Sequence, residues 1–218
     1  MPTALQAHRG SPDPAGGVRE NRLEAFVRTR SLGAGGVGAV HQLATADLPD
    51  HVPLLVDALA ACAGMVVNIE VKNLPTESAF DPSDRCARDV VDLVEATEMQ
   101  DSVIVSSFWA GALTAAFWAV ALTAVRAAGS GVATGLQVLS SFDAGTAVTG
   151  AVDLGCAAVH LPVALVTPET VAAAHGAGLV VAAWTVTDET DLAAMLGAGV
   201  DTVVTDDVDR ARRAVDRT

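Results

Sequence analysis

The chain has 218 residues, of which 51% are apolar and only 4% aromatic, and its formal net charge is −13. This length suffices for one well-buried core and is short for two, so a single domain over residues 1–218 is predicted. The negative charge excludes a nucleic-acid partner, because phosphates require a basic surface, and an anionic substrate would need a local cationic pocket.

Short apolar blocks bounded by turn residues run through the chain and predict β-strands. Segments with helical spacing lie between most of them, and several begin at proline or are followed by glycine, as helix ends often are. The predicted strands are Ala4–His8, Gly36–His41, Met65–Lys72, Ser102–Ser107, Ala133–Leu139, Ala157–Leu161, Leu179–Val186 and Asp201–Thr205. The predicted helices are Asn21–Leu32, Pro53–Cys62, Ser83–Glu98, Pro168–Ala177 and Glu189–Leu196.

The alternation of strand and helix, without hairpins or a linker, predicts a parallel α/β fold. Eight strands favour a closed (β/α)8 TIM barrel over an open doubly wound sheet, although the chain is short for a barrel. No GxGxxG or GxxxxGK(S/T) motif follows the first strand, which weakens the nucleotide-binding alternative.

One uncharged segment, Phe108–Val125, reaches the lower length limit for a membrane-spanning helix. Its Ala, Thr and Gly residues contribute little insertion energy, so we predict a helix packed on the sheet and no membrane span. The adjacent Phe117 and Trp118 point about 100° apart on a helix, so at least one faces outward. An outward apolar patch of this kind predicts a homodimer.

The cysteines predict a cytoplasmic protein. Cys62, Cys86 and Cys156 are widely spaced and form no CxxC motif. This spacing favours buried, reduced thiols over a disulfide framework or a metal site. The first ten residues also lack the basic region of a secretory signal.

Charged and titratable residues stand where the predicted strands end, in a chain otherwise rich in Ala, Val and Leu. In a TIM barrel these strand ends meet at one mouth, where the chemistry takes place. Candidate site residues at or beside this mouth are His8, Arg9, Glu20, His41, Glu70, Lys72 and Trp184.

The first two of these residues suit chemistry on a phosphodiester. The imidazole of His8 can move protons, and the guanidinium of Arg9 can neutralise the phosphate. Glu20 and Glu70 could hold a hard cation such as Mg²⁺ or Ca²⁺, because such ions prefer carboxylate oxygens. Glu20 has a structural alternative, since the dipole at the start of a helix also favours a carboxylate.

Lys72 is the only lysine in the chain, against twelve arginines. It stands at a predicted strand end, two residues after Glu70, where a compact ammonium suits a phosphate oxygen. The alternative is chance, because one basic position among thirteen must be the exception.

Five stretches occur in an order that resembles the glycerophosphodiester phosphodiesterase family over nearly the whole chain. They are AHRG, ENRLEAF, NIEVKN, VSSF and the long segment that contains AAWTVTD. The resemblance implies a TIM barrel and metal-dependent cleavage of small-molecule glycerophosphodiesters to glycerol 3-phosphate and an alcohol. It also implies that His8 is a catalytic acid–base, that Arg9 and Lys72 contact phosphate or substrate, and that Trp184 lines the substrate pocket.

The predicted metal site departs from the family's pattern. The resemblance implies that Glu70 is a ligand of Mg²⁺ or Ca²⁺, and Glu20 belongs to the family's Glu-Asn signature. Gly38 and Val40, however, stand where the family has two metal carboxylates. The family's hairpin and cap beyond strand two have no counterpart here, and His41 is either the ordinary end of strand two or the second catalytic histidine.

Three hypotheses follow from these observations. The first is an active phosphodiesterase with a reduced metal site. The second is an inactive barrel that binds glycerophosphates through Arg9 and Lys72. The third is an unrelated barrel enzyme, such as a phosphosugar isomerase, which the ordered motifs disfavour.

Overall fold

The computed structural model describes residues 4–7, 36–37, 53–73, 80–108 and 120–216. Eight parallel strands form one sheet in the order β2-β1-β8-β7-β6-β5-β4-β3, and β2 and β3, at its two ends, also lie in contact. This is the strand order of a (β/α)8 barrel, and it confirms the predicted fold class. The strands are β1 (Ala4–Ala7), β2 (Gly36–Val37), β3 (Val67–Glu70), β4 (Val103–Phe108), β5 (Ala133–Gln137), β6 (Ala158–Pro162), β7 (Val180–Trp184) and β8 (Thr202–Thr205).

Seven α-helices and two short 3-10 helices lie in the described part of the chain, and four of the predicted helices are confirmed with small differences at their ends. Side-chain caps define the starts of several helices, as when the Asp143 carboxylate accepts a hydrogen bond from the Thr146 N–H at 2.8 Å. The predicted helix Asn21–Leu32 lies outside the described residues. The helices are α1 (Leu55–Ala61), α2 (Arg85–Ala96), α3 (Val120–Ala127), α4 (Ala144–Asp153), α5 (Pro168–Gly176), α6 (Glu189–Ala198) and α7 (Val208–Val215).

The helix predicted over Phe108–Val125 is wrong at its start. Phe108 is the last residue of β4 and pairs with Gln137 of β5, because the ladder between these strands continues through it. The helix α3 begins at Val120. Phe117 and Trp118 lie outside the described residues. Among the residues that the structure describes, no helix is long and apolar enough to cross a membrane.

The apolar core lies between the outer face of the sheet and the helices. On β3 and its extension, Val67, Ile69 and Val71 belong to this core and are at most 6% exposed. The residues between them, Asn68 and Glu70, belong to the inner face, because successive side chains of a strand point to opposite sides. Val is the most frequent residue of the described core, followed by Ala and Leu.

Candidate active site

The inner face of β3 and β4 carries buried polar side chains towards the mouth, the end of the barrel where the strands have their carboxyl ends. Glu70 is 6% exposed and Ser106 0%, and the pairing register places them side by side. Asn68 lies one inward position below Glu70. Within the described part of the chain, Asn68 Oδ1, Glu70 Oε1 and Ser106 Oγ are buried and accept or donate no hydrogen bond. Such atoms cost free energy unless a ligand, water or cation binds them.

Lys72 connects this buried group to solvent. Its side chain is 32% exposed, whereas that of Glu70 is 7% exposed, and its Nζ lies 3.6 Å from Glu70 Oε1. This distance allows an ion pair but exceeds a hydrogen bond, so the ammonium donors remain available to a second partner. An anion that reaches the mouth would meet this ammonium before the buried carboxylate.

Two aromatic rings meet at the same end of the barrel. Phe108 lies on the inner face of β4, two positions beyond Ser106, and its ring centroid is 5.6 Å from that of Trp184 with an interplanar angle of 77°. The Trp184 Nε1–H donates a hydrogen bond to the backbone oxygen of His160 at 3.2 Å. This edge-to-face contact and the indole hydrogen bond hold Trp184 in one orientation.

His160 lies on the inner face of β6, where it pairs with Gln137 of β5 and Ala182 of β7. The residue is 5% exposed, and burial lowers the pKa of its imidazole to about 4. Its ring packs against Gly135 so closely that a Cβ at that position would lie 2.8 Å from His160 Nε2. The imidazole is therefore neutral at physiological pH and is held below the mouth.

The structure describes three of the seven predicted site residues. It brings Glu70 and Lys72 together as an ion pair and places Trp184 against Phe108. His8, Arg9, Glu20 and His41 lie outside the described residues.

Some inward polar residues were not predicted. Asn68, Gln137 and His160 are buried on the inner face of the barrel. The signal that could have found them is the period-two alternation, which places a polar residue between apolar ones in V-N-I and A-V-H-L.

Glu70 is the buried carboxylate on the inner face of β3 at this mouth. Across the ranges that the structure describes, no group of three or more His, Cys, Asp or Glu side chains could hold a metal ion. Glu70 fits a hard cation, because its buried Oε1 is an oxygen donor that lacks a hydrogen bond.

The sequence model of the glycerophosphoryl diester phosphodiesterase family matches residues 10–210 of the chain. A comparison with curated proteins found no match.

Solved structures of similar fold cover nearly the whole chain. A glycerophosphodiester phosphodiesterase from Parabacteroides distasonis is 18% identical with a TM-score of 0.78, and the match covers 99% of this chain and 98% of that one. An Oleispira antarctica phosphodiesterase in complex with the product sn-glycerol-3-phosphate is 20% identical with a TM-score of 0.74, over 98% and 96% of the two chains. A glycerophosphodiester phosphodiesterase from Agrobacterium tumefaciens is 16% identical with a TM-score of 0.71, over 97% and 99%. At these identities the likeness shows the fold.

Proposed function

The chain belongs to the glycerophosphoryl diester phosphodiesterase family, which makes its function phosphodiesterase-like, and we propose that it hydrolyses a glycerophosphodiester to glycerol 3-phosphate and an alcohol. The observation that carries this proposal is the only lysine of the chain, paired with a buried carboxylate at the barrel mouth. A phosphodiester anion could bind the Lys72 ammonium while its reacting phosphorus lies near Glu70.

In the proposed reaction, a water oxygen bonds to phosphorus and the bond from phosphorus to the alcohol oxygen breaks. One proton leaves the water and one proton reaches the alcohol oxygen, and His8 and His41 are the residues proposed to carry them. Arg9 and Lys72 neutralise the phosphoryl oxygens, which gain charge in the transition state. Trp184, held by Phe108 and by the His160 carbonyl, packs on the non-phosphate part of the substrate.

A divalent cation, Mg²⁺ or Ca²⁺, is proposed beside Glu70, with Glu20 as a second ligand. When bound there, it would polarise the phosphoryl group. Gly38 and Val40 remove two carboxylates that the resemblance places in this site, so we propose weak metal binding and slow turnover. Gly38→Glu with Val40→Asp should then strengthen cation binding in calorimetry, and no gain would mean that these positions are misaligned.

The other proposals concern the protein as a whole. We propose one domain over residues 1–218, a cytoplasmic location and a homodimer that uses Trp118. Sedimentation at micromolar concentration should give a dimer that Trp118→Glu weakens without unfolding. A wild-type monomer would contradict the dimer.

The alternative function is an inactive barrel that binds glycerophosphates. The observation that favours it is the replacement of two expected carboxylates by Gly38 and Val40. The binding groups, Arg9 and Lys72, are independent of those positions and would remain.

One set of measurements separates these functions. Glycerophosphocholine hydrolysis is followed with EDTA, Mg²⁺ or Ca²⁺, and glycerol 3-phosphate binding is measured by calorimetry. Hydrolysis supports the enzyme, binding without hydrolysis supports the alternative, and the absence of both contradicts the two.

The Lys72→Met variant tests the observation on which the proposal rests. It should weaken glycerol 3-phosphate binding by about tenfold or more and leave the melting temperature nearly unchanged. Arg213→Met, which removes an exposed cation on α7, is the matched control and should leave binding unchanged. A large loss of stability with intact affinity would make Lys72 structural.

A further inference from the structure

Asn73, the residue after Lys72, joins the end of β3 to the start of α2. Its Nδ2 donates a hydrogen bond to the backbone oxygen of Asp81 at 2.8 Å, and its Oδ1 accepts one from the Asp81 N–H at 2.8 Å. The Asn73 Nδ2 also donates to the Asp84 carboxylate. We call Asn73, Asp81 and Asp84 the Asn73 network.

The two aspartates make the Asn73 network continuous with the helix. The Asp81 carboxylate accepts hydrogen bonds from the Ser83 N–H at 2.8 Å and the Arg85 N–H at 3.1 Å, and α2 begins at Arg85. Asp84 is 3% exposed and has a φ of 49°, in the left-handed region that few residues other than glycine adopt. Its carboxylate does not cap the helix but faces Asn73.

On the other side of Lys72, strand β4 holds the chain. The Val71 N–H donates to the Ser106 backbone oxygen at 2.8 Å, and the Ser107 hydroxyl donates to the Val71 backbone oxygen at 2.8 Å. Val71 is 2% exposed and belongs to the core. The backbone of Lys72 is thus fixed on both sides, by β4 before it and by the Asn73 network after it.

We infer that Asn73 is a positioning residue, which keeps the Lys72 ammonium beside Glu70 and directed to the mouth. The inference rests on the proposed function, because it assigns Lys72 to the phosphoryl group. A lysine with a fixed backbone loses less conformational freedom when it binds an anion, and a lysine at a loose strand end loses more.

A double-mutant cycle tests this inference through binding of glycerol 3-phosphate. Asn73→Ala should weaken binding by about threefold to tenfold in the wild-type background. It should add no further loss in the Lys72→Met background, because Asn73 acts only through Lys72. An equal loss in both backgrounds, or no loss in the first, would overturn the inference.

Variants at Asp84 keep the test independent of the folding of Asn73→Ala. Asp84→Ala breaks the Asn73 network from its other end and should weaken glycerol 3-phosphate binding as Asn73→Ala does. Asp84→Asn retains the acceptor oxygen and should retain affinity. Asp89→Asn, on the exposed face of α2, is the control for general effects on that helix. If Asp84→Asn lost as much affinity for glycerol 3-phosphate as Asp84→Ala, the role assigned to the hydrogen bond between Asn73 and Asp84 would be contradicted.

A second readout observes Lys72 itself and needs no ligand. Reductive methylation with 13C-formaldehyde labels the amine of Lys72, the only lysine, and the amino-terminal amine. The Lys72 methyl resonance is identified by its absence from the Lys72→Met spectrum, and it reports the mobility of that side chain by NMR. Asn73→Ala should narrow and shift this resonance towards that of a free lysine, while Asp89→Asn leaves it unchanged. If the wild type neither hydrolyses glycerophosphocholine nor binds glycerol 3-phosphate but the resonance responds in this way, the proposed function fails and the positioning role stands. An unchanged resonance would overturn the positioning role.

Discussion

The two faces of strand β3 and its extension differ sharply, because one is apolar and the other is polar. Val67, Ile69 and Val71 pack outward into the apolar core. Asn68 and Glu70, interleaved with them, point inward and carry buried oxygen atoms that make no hydrogen bond. One stretch of five residues, 67–71, therefore contributes both to the stability of the barrel and to a candidate site, in alternate positions.

This difference teaches that the two tasks are separable by substitution. The outer face derives its stability from close packing, so any loss of volume there is costly. On the inner face near the mouth, Asn68 Oδ1 and Ser106 Oγ make no hydrogen bond, and Glu70 Oε1 makes only the ion pair with Lys72. These atoms do not stabilise the fold by hydrogen bonding and remain available to a ligand. Substitutions on the outer face should therefore change the free energy of unfolding, and those on the inner face should change binding.

The largest expected effect on stability is that of Ile69→Ala. Ile69 is 2% exposed, and its truncation should lower the free energy of unfolding by about 2–5 kcal/mol in denaturant titrations. Glu70→Gln, at the next position, should change stability by less than about 1 kcal/mol but remove cation binding. Similar losses of stability at both positions would contradict the separation of the two faces.

Next in size is the effect of pH through His160. Burial lowers its folded-state pKa to about 4, so between pH 6.5 and pH 4 the unfolded chain binds a proton that the folded chain does not. The neutral imidazole makes its whole contribution to the free energy of unfolding above the unfolded-state pKa. This free energy falls by about 3 kcal/mol as pH decreases through this window. His160→Gln should flatten the pH dependence of the unfolding free energy by that amount. If the pH dependence of the unfolding free energy did not change, the imidazole would not be buried from water.

A smaller effect is expected where the inner face is tightly packed. Gly135→Ala would place a Cβ 2.8 Å from His160 Nε2, and the ring must move, so we expect a loss of about 1–3 kcal/mol. His160→Ala should relieve most of that loss in the double variant. The matched control is Gly197→Ala in α6, where a Cβ meets nothing within 4 Å and alanine favours the helix. Equal effects of the two glycine substitutions would exclude close packing around His160.

The smallest expected effect is a gain in stability from Asp84→Asn. Burial raises the pKa of the Asp84 carboxyl in the folded state above that in the unfolded state. The stabilising contribution of the protonated carboxyl is therefore lost as pH rises through the folded-state pKa. Asparagine keeps the acceptor, carries no charge and tolerates the left-handed backbone. We expect a gain below about 1 kcal/mol at pH 7 that disappears in acid, measured by thermal unfolding. The same gain at both pH values would assign it to the backbone alone.

The sequence predicts the strands well, because apolar blocks between turn residues are the pattern of buried parallel strands. It does not predict α4, whose sequence AGTAVTGAVD combines glycine with β-branched residues of low helix propensity. That helix is stabilised instead by the Asp143 cap and by burial of Ala147 and Ala151. Phe108 was assigned to a helix because no turn residue separates it from the apolar segment that follows.

The charged residues of the candidate site can be predicted from the sequence, whereas its buried neutral residues cannot. Glu70 and Lys72 stand out as charged residues at a strand end, and the structure brings them together. His160 does not stand out, because a single histidine in an apolar strand is equally typical of a satisfied core residue. Its neutral state depends on burial and on the absence of a side chain at Gly135, which are properties of the assembled barrel.

The fixed backbone around Lys72 has a consequence for proteolysis. A lysine-specific protease has one target in this chain, the peptide bond between Lys72 and Asn73. Hydrogen bonds hold the Val71 backbone before that bond and the Asn73 side chain after it, so we expect a protease to bind the bond only after this local segment opens. The rate of this single cut therefore measures the free energy of opening at the mouth, separately from the unfolding of the whole barrel.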